Sequence, residues 1–113
     1  MIRPTKFEIT QTGERPAVAL AIDGELDIRT ISVVSEHVDE QLAAGVSDLT
    51  LDLRRLTFLD SSGLRLLIGL HDRSRQAGWR LRLIAPEEEA ATLVLRATGA
   101  DSALPFAEGS AER

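Results

Sequence analysis

The alternating run Leu49-Thr50-Leu51-Asp52-Leu53 is followed, after a short polar turn, by Asp60-Ser61-Ser62-Gly63 at the head of a stretch whose leucines recur at helical spacing. A side-chain period of two that gives way so abruptly to a period of 3.6 is a strand, a turn and a helix in direct succession. The alternation recurs upstream, where Val18, Leu20 and Ile22 share one face of a strand over residues 17–22 and Ala17, Ala19 and Ala21 share the other. It recurs downstream as Leu81 and Leu83 in a strand over residues 80–84. Strands that alternate, rather than running solidly apolar, predict a sheet packed on one face and open on the other.

The remaining elements follow from punctuation. Lys6 to Thr10 reads as a short first strand, Gln11 to Pro16 as a turn broken by Gly13 and Pro16, and Asp23 to Asp27 as an acidic loop. Thr30 is a candidate N-cap for a helix that ends near Ala44, stops at Gly45, and buries Ile31, Val34, Val38 and Leu42. The third strand covers residues 48–53, and the second helix runs from about Ser61 or Ser62 to Ala77, ended by Gly78. Pro86 at a first helical position opens a third helix, with Glu87, Glu88 and Glu89 in its first turn, ending near Ala97 before Gly99. Leu104 to Ala107 reads as a last short strand and residues 108–113 as a frayed tail. The open face is expected to carry Ala17, Ala19, Ala21, Thr50, Asp52, Arg80 and Arg82. The expected fold is α/β: one domain over residues 1–113, ordered from about 6 to 106, with a mixed four- to five-stranded sheet and helices packed mainly on one face.

On a helical wheel the second helix groups Leu64, Leu67, Ile68 and His71 on one side, with Arg65, Gly69, Asp72 and Gln76 opposite. Leu66 and Leu70 lie off this stripe. Either they pack under a neighbouring helix, or they leave a partly exposed apolar edge beside Ser61 and Ser62 that suits a partner.

Several kinds of chemistry are excluded by composition. With no cysteine among 113 residues there is no disulfide, thiolate zinc site or Cys nucleophile. A net charge of −5 argues against non-specific nucleic-acid binding, and Arg73, Arg75, Arg80 and Arg82, with Trp79 the one aromatic residue among them, read as solvated surface arginines. No apolar run approaches the ~18 residues of a membrane span, and residues 1–10 hold no signal-peptide core, so a cytoplasmic location is expected. The imidazoles are His37 and His71; His71 lies about 15 Å along the helix axis from Ser61, too far to activate it. Glu25 and Asp27 are too few carboxylates for a cation site. No phosphate loop, dinucleotide fingerprint or kinase signature is present. The chain is expected to be no enzyme and to carry no cofactor or metal of its own. Ser61 and Ser62 read either as plain helix N-caps or, together with the Asp60 carboxylate, as two hydroxyls at the positive end of a helix dipole, where an added phosphate is stabilised. The second reading makes the chain a phosphorylation-controlled binding module.

Gly24-Glu25-Leu26-Asp27, Leu51-Asp52-Leu53 and Phe58-Leu59-Asp60-Ser61-Ser62-Gly63-Leu64, at these separations, resemble the STAS domain, in its branch of bacterial anti-sigma factor antagonists. The resemblance covers about residues 6 to 106. It implies a mixed sheet flanked by helices, and an unmodified form that binds an anti-sigma factor with serine kinase activity and so releases a sigma factor. It implies that the kinase, using ATP and Mg²⁺, phosphorylates the serine after the motif aspartate, here Ser61, and that a phosphatase reverses the change. Asp60 then shapes the phosphorylation site, Asp27 and more loosely Glu25 are acidic loop residues near it, and Ser62, Gly63, Leu64, Leu66 and Leu70 are candidate partner-binding positions. Two residues depart from the pattern: Arg65 stands where many members have a small residue, and Gly99-Ala100 replaces the more usual Gly-Leu. The rival expectations are a STAS adaptor in a lipid-transport or stress-signalling complex without phospho-switching, and a small-ligand or nucleotide binder at the same helix end. Neither a direct nucleic-acid nor a membrane partner is expected, and the oligomeric state is left open.

Overall fold

Burial of the alternating leucines organises the molecule. The computed structural model describes residues 6–107, and the expected tail at 108–113 lies outside them. The elements run β1 (Phe7–Glu14), β2 (Ala17–Leu26), α1 (Ile31–Ala43), β3 (Asp48–Asp52), β4 (Leu56–Leu59), α2 (Ser61–Ala77), β5 (Arg80–Ile84), α3 (Glu89–Thr98) and α4 (Ala100–Ala103). β1 and β2 form an antiparallel hairpin. β2 then runs parallel to β3 along Ala17–Ala21 and parallel to β4 along Gly24–Leu26. β3 runs parallel to β5, so the sheet order is β1-β2-β3-β5, with β4 beside the far half of β2.

One face of this mixed five-stranded sheet is sealed. Leu20, Ile22, Leu26, Leu49, Leu51 and Leu83 are wholly buried, against Val34 and Val38 of α1, Leu67 and Leu70 of α2, and Ala91 and Leu95 of α3. The other face is open: Ala19, Ala21, Thr50 and Asp52 are half-buried, and Ala17, Arg80 and Arg82 are exposed. This is the face that alternation predicts.

Several boundaries differ from the sequence expectation. β1 continues through the residues read as a turn, because it pairs with β2 as far as Glu14 opposite Ala17, and the turn is Arg15-Pro16. Gly13 sits inside that strand at φ 88, where a side chain would strain the backbone. β2 absorbs most of the stretch read as an acidic loop; Asp23 is tolerated there because Arg55 and Lys6 meet its carboxylate at 3.0 and 3.5 Å. The polar turn before Asp60 is only Arg54-Arg55, and β4 follows it. Its register slips between Gly24/Leu56 and Glu25/Phe58, leaving Thr57 as an extra residue, so Leu56 and Leu59 both face the core without alternating in sequence. α3 begins at Glu89, not Pro86; Pro86 is buried, and the Glu87 N–H donates to the Arg54 carbonyl at 3.3 Å. Residues 104–107 contribute a single bridge, Phe106 beside Leu83, in place of a strand.

Candidate functional site

Pairing of β2 with β4 brings together two segments that are far apart in sequence. Leu26 lies opposite Leu59, and the Asp60 N–H donates to the Leu26 carbonyl at 3.3 Å. The loop after β2 and the head of α2 therefore emerge side by side. Gly63 makes this close approach possible, since a Cβ there would sit 2.5 Å from the Leu26 carbonyl oxygen and 2.7 Å from Leu59 Cδ1.

The head of α2 is capped by Asp60, whose Oδ1 accepts from the Gly63 N–H at 3.0 Å. Ser61, the first helical residue, is exposed; Ser62 and Leu64 are half-buried and Gly63 is buried. Asp60 thus supplies the cap, and the hydroxyl of Ser61 is free of that duty.

Across from this helix end, Asp27 is only 6% exposed. Arg29 satisfies it, donating from its backbone N–H to Oδ1 at 2.9 Å and from Nη2 to Oδ2 at 2.7 Å. The same guanidinium donates to Glu25 Oε1 at 2.9 Å. Hydrogen bonding from Arg29 outweighs the opposing effect of burial and holds the Asp27 carboxyl below the usual carboxylate range. Thr30, expected as a helix cap, makes no capping bond; its hydroxyl donates to the Glu25 carbonyl at 2.7 Å and accepts from the Asp27 N–H at 3.0 Å, closing the loop on itself. Arg29 is the residue the sequence reading overlooks. Its spacing from Glu25 and Asp27 was a usable signal, because a guanidinium two and four residues from carboxylates is within reach of both.

A cleft of about 350 Å³ opens between α2 and the start of α1. Ile28, Ile31, Leu66 and Leu70 form its apolar lining, and Ser62, Arg65 and Arg73 are on its rim. Of the two leucines that sequence left open, Leu70 is packed into the core at 1% exposure and Leu66 is half-buried along the cleft. The buried stripe of α2 is Gly63, Leu67, Leu70 and Ser74, turned by roughly 80° from the expected one, and Ile68 is 43% exposed. Close packing against Leu26 sets this rotation, because it draws Gly63 rather than Leu64 inward. His37 Nδ1 lies 2.9 Å from the Val33 carbonyl in its own helix, and His71 is half-buried on the far part of α2.

The sequence matches the STAS domain over residues 7–112, and the chain belongs to that family. A relative in Mycobacterium tuberculosis, the anti-sigma-F factor antagonist RsfB, is 29% identical over 77 residues, which span 68% of this chain and 63% of RsfB. The match therefore spans less than two thirds of that relative. Among solved structures, an anti-sigma factor antagonist from Mycobacterium paratuberculosis superposes with a TM-score of 0.75 at 18% identity, covering 91% of this chain and 86% of that one. The anti-sigma factor antagonist SpoIIAA of Bacillus superposes at TM-score 0.70 in its unphosphorylated form (21% identity, 95% of this chain and 92% of SpoIIAA) and at 0.64 in its phosphorylated form (21% identity, 95% and 96%). These likenesses establish the fold.

Proposed function

We propose that this chain is an anti-sigma factor antagonist whose unmodified form binds an anti-sigma factor with serine kinase activity, frees a sigma factor, and is switched off by phosphorylation of Ser61. The observation that carries this reading is the exposure of Ser61 at the start of α2, one residue after the Asp60 cap. Free N–H groups and the helix dipole at that end stabilise an anion without unfolding the domain. The proximity of RsfB, and the existence of SpoIIAA in both phosphorylation states, support the same assignment.

In this scheme the partner kinase, with ATP and Mg²⁺, moves a phosphoryl group to Ser61 Oγ, and a phosphatase removes it. The change adds about −1.5 to −2 charges beside Asp60 and the Glu25–Asp27 loop. A like-charge contact with a docked carboxylate near 6 Å costs roughly 0.7–3 kcal/mol for effective dielectrics from 80 to 20. Two such contacts weaken docking by about one to three orders of magnitude, allowing for partial screening. Glu25, Ser62, Leu64 and Leu66 belong to the contact surface in this proposal, with Asp27, Gly63 and Leu70 buried beneath it, where they can shape the surface but not touch a partner, and the chain itself performs no catalysis.

Incubation with ATP, Mg²⁺ and a serine-kinase anti-sigma factor from the same genome is the direct test. Mass spectrometry should place phosphate on Ser61. Ser61→Ala should bind that kinase and resist being switched off, and Ser61→Asp should bind at least tenfold more weakly. Phosphate on Ser62 alone, or none, overturns the assignment.

A further inference from the structure

The phosphate postulated on Ser61 needs a counter-ion, and the inference here rests on that reading. Three arginines stand near the head of α2 and the adjoining cleft. Arg29 is committed, with Asp27 Oδ2 at 2.7 Å and Glu25 Oε1 at 2.9 Å. Arg73 is committed to Asp39 at 2.9 Å, and is roughly 18 Å along the helix axis from residue 61. Arg65 is exposed, lies on the rim of the cleft, and among the described residues makes no ion pair. It follows Ser61 by four positions within one uninterrupted helix. That spacing stacks the two side chains on the same face, with Cβ atoms about 5–6 Å apart, well within the reach of a guanidinium.

We propose that Arg65 is the intramolecular counter-ion of phosphorylated Ser61, pairing with the phosphate and thereby leaving the rim of the cleft. In the unmodified protein its cation is free beside Ile28, Ile31 and Leu66, available to a carboxylate on a docked partner. After modification the same cation is held by the phosphate. One event then adds negative charge at the helix end and removes positive charge from the neighbouring cleft. The planar guanidinium, with its fork of donors, suits a tetrahedral dianion better than an ammonium does.

The charges facing the phosphate can be separated. Asp60, Glu25 and Asp27 disfavour the dianion, whereas Arg29 and the N–H groups at the head of α2 favour it. All of these stay in place when Arg65 is replaced, and Arg65 is exposed, so its replacement leaves the core untouched. The second ionisation of phosphoserine, ordinarily near pH 6, isolates its contribution.

Phosphoserine is installed at position 61 by codon reassignment, which requires no kinase, and its ³¹P shift is followed against pH in otherwise wild-type protein, Arg65→Gln and Arg65→Lys. The second pKa should be about 0.3–0.6 unit lower with Arg65 than with Gln, because one added charge pair near 5 Å in a watery setting is worth that much. Lys should fall between them. Equal values for Arg and Gln overturn the pairing while leaving a phosphorylated Ser61 intact. Failure of any kinase to modify Ser61 instead defeats the phospho-switch, and is detected separately because the ³¹P comparison does not depend on it.

Discussion

Asp27 shows how a single carboxylate secures the loop beside the helix end. It is buried, and its charge is met by both the backbone and the guanidinium of Arg29. Its pKa is lowered in the folded state, so its contribution is fully present above the ordinary carboxylate value of 3.8 and is lost as pH falls through the lower folded value. Asp27→Asn should therefore cost roughly 1–2 kcal/mol at pH 7, toward the low end for a charged hydrogen bond because Arg29 is largely exposed. Urea unfolding at pH 7 and again below pH 3.8 measures this, and the gap between variant and wild type should narrow in acid. At this scale the sequence is legible to within a residue: Ser61 and Ser62 are the expected caps, and Asp60, just before them, takes that role because its carboxylate reaches the Gly63 N–H. Thr30 stands at the expected N-cap position of α1, but its hydroxyl turns back to the preceding loop instead of capping, because the carbonyl of Glu25 comes within reach once β2 extends to Leu26.

At the scale of elements, α2 was legible in extent and not in rotation. Gly78 in the left-handed region ends it as expected. The inward face is selected by close approach rather than by hydropathy, which is why Gly63 and Ser74 line it and Ile68 does not. Ser74 is accommodated because its hydroxyl donates to the His71 carbonyl of its own helix at 2.7 Å. Leu67→Ala should lose about 2–5 kcal/mol, and Ile68→Ala no more than about 0.5 kcal/mol, in paired chemical denaturations. The wheel centred on Leu64 and Ile68 predicts comparable losses, so the two variants separate the rotations. β4 escaped notice for a related reason. Its bulge at Thr57 breaks the period of two, leaving three-residue spacing between Leu56 and Leu59 that carries no strand signal.

Across the whole molecule, the candidate site lies where two parallel strands end together, and its parts belong to different stretches of chain. In the proposed switch a negative charge at Ser61 acts on a docked partner and not on the fold, since Ser61 is exposed at a helix N-terminus outside the core. Ser61→Asp should unfold within about 0.5 kcal/mol of wild type by circular dichroism, even as it loses its partner. Periodicity, glycine stops and capping residues are local properties, and they determined from sequence alone the three longer helices, the cores of β1, β2, β3 and β5, which sheet face is apolar, and where the helix-end serines stand, but not β4 or α4. The neighbours of each strand were decided only in three dimensions. Parallel pairing of β2 with β3 and β4 joins residues about thirty positions apart. No short-range pattern encodes that pairing; it arises when Leu26 and Leu59 are buried together and Gly63 lets α2 close over them. That closure is what sets the end of β2, and the loop that leaves it, beside the head of α2.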